Sequence, residues 1–324
     1  MKVIGMGNAL VDILIKLKSD NTLHELGFPR GSMQLVDKKR SNEVLAKVSG
    51  LDVSQSSGGS AANTIHGLAK LGITTGFIGK VGNDELGNFF ADDLKAANIK
   101  NHLNNSKTES GRAITLISPD SERTFATYLG AAVELSANDI KADNFKGYNI
   151  LHIEGYLVQN HDLILNAVKL AKECGLEVSL DLASFNVVEE NLEFLKSIVG
   201  NYVDIVFANE EEAKSFTKKM PEEAIKELSK VCKVAVVKIG KEGSLIWANN
   251  EIVKVGVINA EPVDTTGAGD LYAAGFLYGY IKKKAPSECG WYGAILSGNV
   301  IEEVGAKMSD SRWENVLKQI KNHK

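Results

Sequence analysis

Short apolar runs at Val3 to Gly7, Thr75 to Val81, Asn149 to Ile153, Leu176 to Leu182, Ile205 to Ala208 and Val234 to Ile239 alternate with stretches that read as helices. That rhythm predicts an α/β fold built on a mostly parallel sheet. Leu86, Phe90, Leu94 and Ala97 fall on one face of a predicted helix from Asp84 to Asn98, and a second runs from His161 to Cys174 and is closed by Gly175. Both present an apolar face to pack on the sheet. Two stretches break the rhythm, roughly 10–50 and 105–128. In the second, Arg112 to Ser118 and Arg123 to Tyr128 alternate around a Pro-Asp-Ser-Glu turn, the pattern of a hairpin. With strands at Val11 to Ile15 and Met33 to Val36 it would make a small separate sheet over the large one.

The chain is long enough, at 324 residues and 44% hydrophobic, to fill one large core without borrowing a partner. Lys plus Arg 37 against Asp plus Glu 41 gives a net charge of −4, with no basic block longer than Lys38-Lys39-Arg40 or Lys282-Lys283-Lys284. Nucleic acid is not an expected ligand. Cys174, Cys232 and Cys289 lie far apart, which suits reduced thiols in the core and excludes a redox pair or a zinc cluster. The apolar N-terminus is interrupted by Gly5, Gly7, Asn8 and Asp12, and no 18-residue apolar stretch occurs. The expectation is a soluble cytoplasmic protein with no membrane contact.

The run Asp264-Thr265-Thr266-Gly267-Ala268-Gly269-Asp270, followed at once by a helical stretch from Leu271 to Tyr280, carries the chemistry. Small residues at Gly267, Ala268 and Gly269 let backbone N–H groups converge at a helix N-terminus, where free donors and the dipole hold an anion. Asp270 sits inside that hole, where a carboxylate repels phosphate unless it acts as a general base on a hydroxyl beside the transferring phosphoryl group. The competing reading is an ordinary acidic first helical turn. A second run, Gly58-Gly59-Ser60-Ala61-Ala62-Asn63 through Gly72, opens with a glycine pair that allows close backbone approach. It continues with Ser60 as an expected helix cap and Asn63 in the first turn.

These two segments, in this order and about 200 residues apart, resemble the signature segments of the ribokinase-like (PfkB) carbohydrate and nucleoside kinases. The resemblance covers nearly the whole chain. It is strengthened by Gly5-Met6-Gly7-Asn8-Ala9-Leu10-Val11-Asp12, Asn209-Glu210-Glu211-Glu212, Lys238-Ile239-Gly240-Lys241-Glu242-Gly243 and the Gly305-Ala306 ending. It implies a three-layer α/β/α domain spanning residues 1–324, with a small β-sheet lid from about 10–50 and 105–128. The lid's outer face could be exposed or serve as a homodimer clasp, so monomer and dimer both remain open.

Asp12 interrupts an apolar strand, a costly placement unless it meets donors, and vicinal hydroxyls are such donors. By resemblance Asp12, Gly58, Gly59 and Asn63 hold a sugar diol, the alternative for Asp12 being an exposed edge position. In adenosine kinases an Asn at the position matching Asn8 reaches the base, so the resemblance implies that role for Asn8, the alternative being a turn cap. Asn209 and Glu212 follow a strand at its C-terminal end, where sheets of this kind keep ligands. The family pattern puts them near Mg²⁺, through water for Glu212, and the phosphates of ATP, while Glu210 and Glu211 read as solvated helix charges. Asp181 is either a phosphate or metal contact or a helix cap. Lys238, Gly240, Gly243 and Thr266 would line the nucleotide pocket, and Ala294 to Ala306 with Asn299 would wall the adenine unless it is a core helix. The carbonyls around Asp264, Thr266 and Gly305 match the place where several members hold a monovalent cation such as K⁺. His66 and His152 read as packing or surface residues.

Rival readings fit less well. A dinucleotide oxidoreductase would need a third glycine where Leu10 stands, and a P-loop motif is absent. A non-catalytic sugar- or nucleoside-binding regulator would not need Asp270. Within the family, Gly5-Met-Gly-Asn8-Ala-Leu-Val-Asp12, Phe125-Ala-Thr-Tyr128-Leu-Gly-Ala-Ala132 and Asp181-Leu-Ala-Ser-Phe185 are most similar to the adenosine kinase branch. The resemblance therefore implies phosphorylation of the 5′-hydroxyl of a nucleoside, with a free-sugar kinase as the alternative.

Overall fold

The computed structural model describes residues 1–120 and 122–322. Its strands are β1 (Val3–Met6), β2 (Leu10–Lys16), β3 (Met33–Leu35), β4 (Val53–Gly58), β5 (Thr75–Gly82), β6 (Lys100–Ser106), β7 (Gly111–Ile117), β8 (Arg123–Tyr128), β9 (Ile150–Glu154), β10 (Glu177–Asp181), β11 (Ile205–Asn209), β12 (Val234–Lys238), β13 (Ser244–Ala248) and β14 (Glu251–Val255). Among the described residues they form two sheets. The large one runs β14-β13-β12-β11-β10-β9-β1-β5-β6, parallel except for the antiparallel edge β12-β13-β14. All four residues of β1 are buried, as expected for a strand covered on both faces.

One face of this sheet is covered by the helices Ser60–Lys70, Ala268–Ile281 and Pro286–Val300, and Phe207 of β11 meets Phe276 edge-on at 5.4 Å. The helix Ala268–Ile281 is apolar nearly all round, which a wholly buried helix must be. It lies tight against Ser60–Lys70, since a Cβ built on Gly67 would sit 2.7 Å from that of Ala274. The close approach sets the two helix N-termini side by side. Thr64 Oγ1 donates to the Asp270 carbonyl at 3.0 Å across the contact.

The small sheet runs β3-β8-β7-β2-β4. The hairpin β7-β8 is present, and Ser121 of its predicted turn lies outside the described residues. β4, a polar strand that the sequence pattern does not announce, pairs antiparallel with β2 so that Leu10 faces Gly58. β4 then continues without a break through Gly59 into the helix Ser60–Lys70. Cys174 is exposed rather than in the core, whereas Cys289 is buried. Neither His66 nor His152 is on the surface; His152 is wholly buried against the Ser179 hydroxyl at 3.0 Å. Among the described residues no helix is long and apolar enough to cross a membrane.

Candidate active site

The joined helix N-termini enclose Asp270. Ser60 Oγ donates to its Oδ1 at 2.7 Å and Asn63 Nδ2 to its Oδ2 at 2.9 Å. Ser60 is thus the first residue of its helix and not the expected cap. Gly59 takes the cap position at φ +101°, and the Ser60 hydroxyl is turned to the carboxylate instead. Burial raises Asp270 to about 6, against the two hydrogen bonds that lower it, with Asp181 raising and Lys238 lowering it further. A carboxylate so placed is ionised at neutral pH yet a better proton acceptor than a free aspartate. Gly267 enters the second helix at φ +77°, where an added Cβ would lie 2.8 Å from Ala306 Cα. Helix geometry leaves the first-turn N–H groups of Gly269 and Asp270 without an intrahelical acceptor; that of Ala268 bonds Thr265 O at 3.2 Å. The run therefore forms an anion hole at a helix N-terminus.

Lys238, at the end of β12, brings its ammonium to 3.1 Å from where a Gly269 Cβ would stand and donates to Asp181 Oδ2 at 3.1 Å. Burial alone would lower Lys238, but the charges of Asp181, Glu212 and Asp270 outweigh it and raise the group, so it stays cationic. Asp181 is not a helix cap; Ser184 caps the helix Phe185–Glu190. Asn209 and Glu212 close on each other: Glu212 accepts from Asn209 N at 2.8 Å and from its Nδ2 at 2.6 Å, and the Glu212 N–H returns to Asn209 Oδ1 at 2.9 Å. Burial and then the charge of Asp181 push Glu212 up to about 7. These groups line a cavity of about 640 Å³ together with Gly240, Gly243, Gly269 and Asp270. Exposed Glu210 and Glu211 border it.

Among the described residues no three His, Cys, Asp or Glu side chains converge as metal ligands. Asp181 and Glu212 both line the cavity, two carboxylates that fit a hard cation carried in on phosphate and water rather than caged by protein.

A second cavity, of about 730 Å³, touches the first at Ser60 and Tyr156. Leu10, Met33, Leu35 and Leu129 of the small-sheet side give it an apolar wall, and Asn8, Glu154, Gln159 and Asn160 a polar one. Asn8 does not point freely into it, because its Nδ2 donates to Glu154 Oε1 at 2.6 Å. Glu154 also accepts from Ala61 N at 3.1 Å, and burial raises it to about 7. Asp12 is on a central strand, flanked by β4 and β7, so the edge reading fails. Its carboxylate packs on Gly58, where any Cβ would collide with it. Burial raises Asp12 to about 7, opposed chiefly by the charge of Lys307. Asn63 Oδ1 is buried without a partner in the structure.

Other expected placements change: Asp12, Gly58 and Asn63 line neither cavity. Asn299 is buried in its helix, its Nδ2 donating to Ile295 O at 2.8 Å, so Ala294 and Ser297 of that helix reach the first cavity instead. Thr266 does not line the cavity, because its N–H and hydroxyl both turn to Asp264 Oδ1, at 3.1 and 2.8 Å. Asp264 further accepts from Gly305 N at 2.6 Å and pairs with Arg123 Nη1 at 2.7 Å, so its charge is already met by a guanidinium from β8. A monovalent cation there would rest on main-chain carbonyls alone. Sequence reasoning missed Glu154, Arg123, Tyr156 and Lys307. Glu154 carried a signal like that of Asp12, a single acid joined to an apolar run, at its end rather than inside it.

The chain is similar to known kinases. The adenosine kinase of Sinorhizobium meliloti superposes with a TM-score of 0.87 at 33% identity, covering 98% of this chain and 99% of that one. The 5-dehydro-2-deoxygluconokinase of Geobacillus thermodenitrificans is 31% identical over 75% of this chain and 78% of its own length. The nucleoside kinase of Methanocaldococcus jannaschii is 28% identical over 82% and 86%. The model of the pfkB family carbohydrate kinases matches residues 32–312. The chain therefore belongs to the pfkB family of carbohydrate kinases, and it is a sugar or nucleoside phosphotransferase.

Proposed function

We propose that this enzyme transfers the γ-phosphate of ATP to the 5′-hydroxyl of a nucleoside, with adenosine as the preferred acceptor. The observation that carries the reading is the second cavity: at about 730 Å³ it is roomier than one sugar ring needs, and an apolar wall faces an amide-rich one. A flat heterocycle buries its faces against the first and pairs its edge with the second. Asn63 Oδ1, on the same amide whose Nδ2 holds Asp270, is buried without a partner, and we assign it a ribose hydroxyl, with Asp12 as the second contact; neither lines that cavity. Asp270 then takes the proton of the attacking hydroxyl, while the Gly267–Gly269 turn and Lys238 meet the charge on the phosphoryl oxygens. Kinases of this family use ATP with a divalent metal; we assign Mg²⁺, which neutralises phosphate charge when bound, with Asp181 and Glu212 holding it through water.

A free-sugar acceptor is the second reading. Glu154 favours it, since a buried carboxyl lining the second cavity is one more partner for a polyol hydroxyl than a nucleoside requires. Initial rates with ATP on adenosine, ribose and fructose separate the two. Adenosine has the highest kcat/KM if the nucleoside reading is right; a free sugar in that place overturns it and leaves the kinase intact.

A further inference from the structure

Beside the glycine pair, at Ser57, lies a polar cluster drawn from four separate segments. Lys307 Nζ meets Asp93 Oδ2 at 2.5 Å and Ser57 Oγ at 2.5 Å. His66 Nε2 is 3.0 Å from the same Asp93 oxygen, to which Ser57 also donates. Ser57 belongs to β4, His66 to the helix Ser60–Lys70, Asp93 to the helix Glu85–Ala96 and Lys307 to the loop after Gly305. Ser57 is wholly buried, and a cluster of this kind holds its members in one arrangement because each partner lost would leave a buried polar group unmatched.

Its position gives it more than a packing role. Ser57 immediately precedes Gly58, against which the Asp12 carboxylate packs. Lys307 follows Gly305, whose N–H is bonded to Asp264, and Ala306, which packs on Gly267 of the anion hole. The charged groups acting on Lys307 are Asp93, Asp12 and Lys70. Asp93 is thus its direct partner, and Asp12 a second carboxylate on which the same ammonium acts through space.

We propose that Lys307 is a positioning residue for the phosphoryl acceptor: clamped by Asp93, it fixes the Ser57–Gly58–Gly59 segment and steadies Asp12 where the acceptor hydroxyls bind. The proposal rests on Asp12 being an acceptor contact. It requires an effect confined to the acceptor side, because Lys307 bonds Ser57 and acts on Asp12 through space but lines neither the nucleotide cavity nor the Asp270 cage.

The test is a double-mutant cycle read in steady-state kinetics with the acceptor found for the wild type. Lys307→Met is expected to raise the acceptor KM by about tenfold while the ATP KM stays within about twofold, and Lys307→Arg to recover most of the loss. In an Asp12→Ala background the same change should add less than about threefold, since the group it steadies is gone. If Lys307→Met does not fold, Asp93→Asn, which unclamps the ammonium, is read by the same criteria. Equal rises in both KM values, or effects that multiply in the double variant, overturn the proposal. Absence of wild-type turnover on any nucleoside or sugar overturns the acceptor reading with it, whereas turnover with an unchanged acceptor KM in Lys307→Met overturns this proposal alone.

Discussion

On the donor side of Asp270 the charged groups hold one another, Lys238 on Asp181 at 3.1 Å and Glu212 in a reciprocal bond with Asn209, whereas on the acceptor side Asn63 Oδ1 has no partner and Met33, Leu35 and Val133 stand exposed at the cavity mouth. The donor side is assembled from ends of the large parallel sheet and the start of one buried helix, with exposed Asn209, Glu210, Glu211 and Val257 at its rim. The acceptor side is shared between that core and a five-stranded sheet joined to it by short segments such as Gly58–Gly59. One side is ready for a ligand that is the same in every turnover; the other leaves polar atoms and apolar area to be satisfied by the molecule that enters. The contrast suggests that changes on the acceptor side alter which molecule reacts, and changes on the donor side how fast.

The largest expected effect lies on the acceptor side. Deoxyadenosine, which lacks one hydroxyl of the diol, should lose up to about 10⁴-fold in kcat/KM against adenosine, because Asp12 or Asn63 is left buried and unpaired. Asp12→Ala should shrink that discrimination to about tenfold or less by removing the group that penalises the analogue. Equal discrimination in the two proteins would detach Asp12 from the diol and break the comparison.

A smaller effect is expected across the divide. Glu212→Gln should lower kcat about tenfold at low magnesium and recover with added metal, since a weakened water-mediated contact yields to mass action. Acceptor KM should not follow. Rate measured against free magnesium for both proteins checks it, and superimposable curves remove Glu212 from the metal's surroundings.

What the sequence made legible follows the same divide. The Gly267–Asp270 run and the apolar strands could be read because each carries its function in neighbouring residues. β4, Val-Ser-Gln-Ser-Ser-Gly, and β6, Lys-Asn-His-Leu-Asn-Asn-Ser, could not, since both are polar and become strands only by pairing with β2 and β5. Ser60 was misread because a serine before a helical run signals a cap, and only the neighbouring helix reveals Asp270 as its partner. Arg123 and Lys307 gave no local signal: each works through a contact made more than a hundred residues away.

The smallest expected effect concerns pH and joins both sides. Asp12, Glu154 and Glu212 at about 7 and Asp270 at about 6 all keep protons that the unfolded chain gives up near 4. Their contribution to stability is complete below about pH 4 and is lost as pH rises through 6 to 7. His66, His102 and His152, all lowered chiefly by burial and His152 to about 4, act in the opposite sense below about 6.5, three groups against four. The ligand-free enzyme should therefore melt a few degrees higher near about pH 5.5 than near about pH 7.5, while its activity rises over the same interval as Asp270 ionises. A flat or rising melting temperature would mean that these carboxyls are not desolvated in solution.

The central claim is that Asp270, caged by Ser60 and Asn63 where the two cavities meet, removes the acceptor's proton. Asp270→Asn keeps the shape of the group and abolishes its basicity. The deciding measurement is kcat for this variant beside the dissociation constant for ATP measured by calorimetry on the same preparation. The account predicts a fall in kcat of about 10²- to 10⁴-fold with ATP affinity preserved within about threefold. A variant that retains more than about a tenth of wild-type kcat would contradict it.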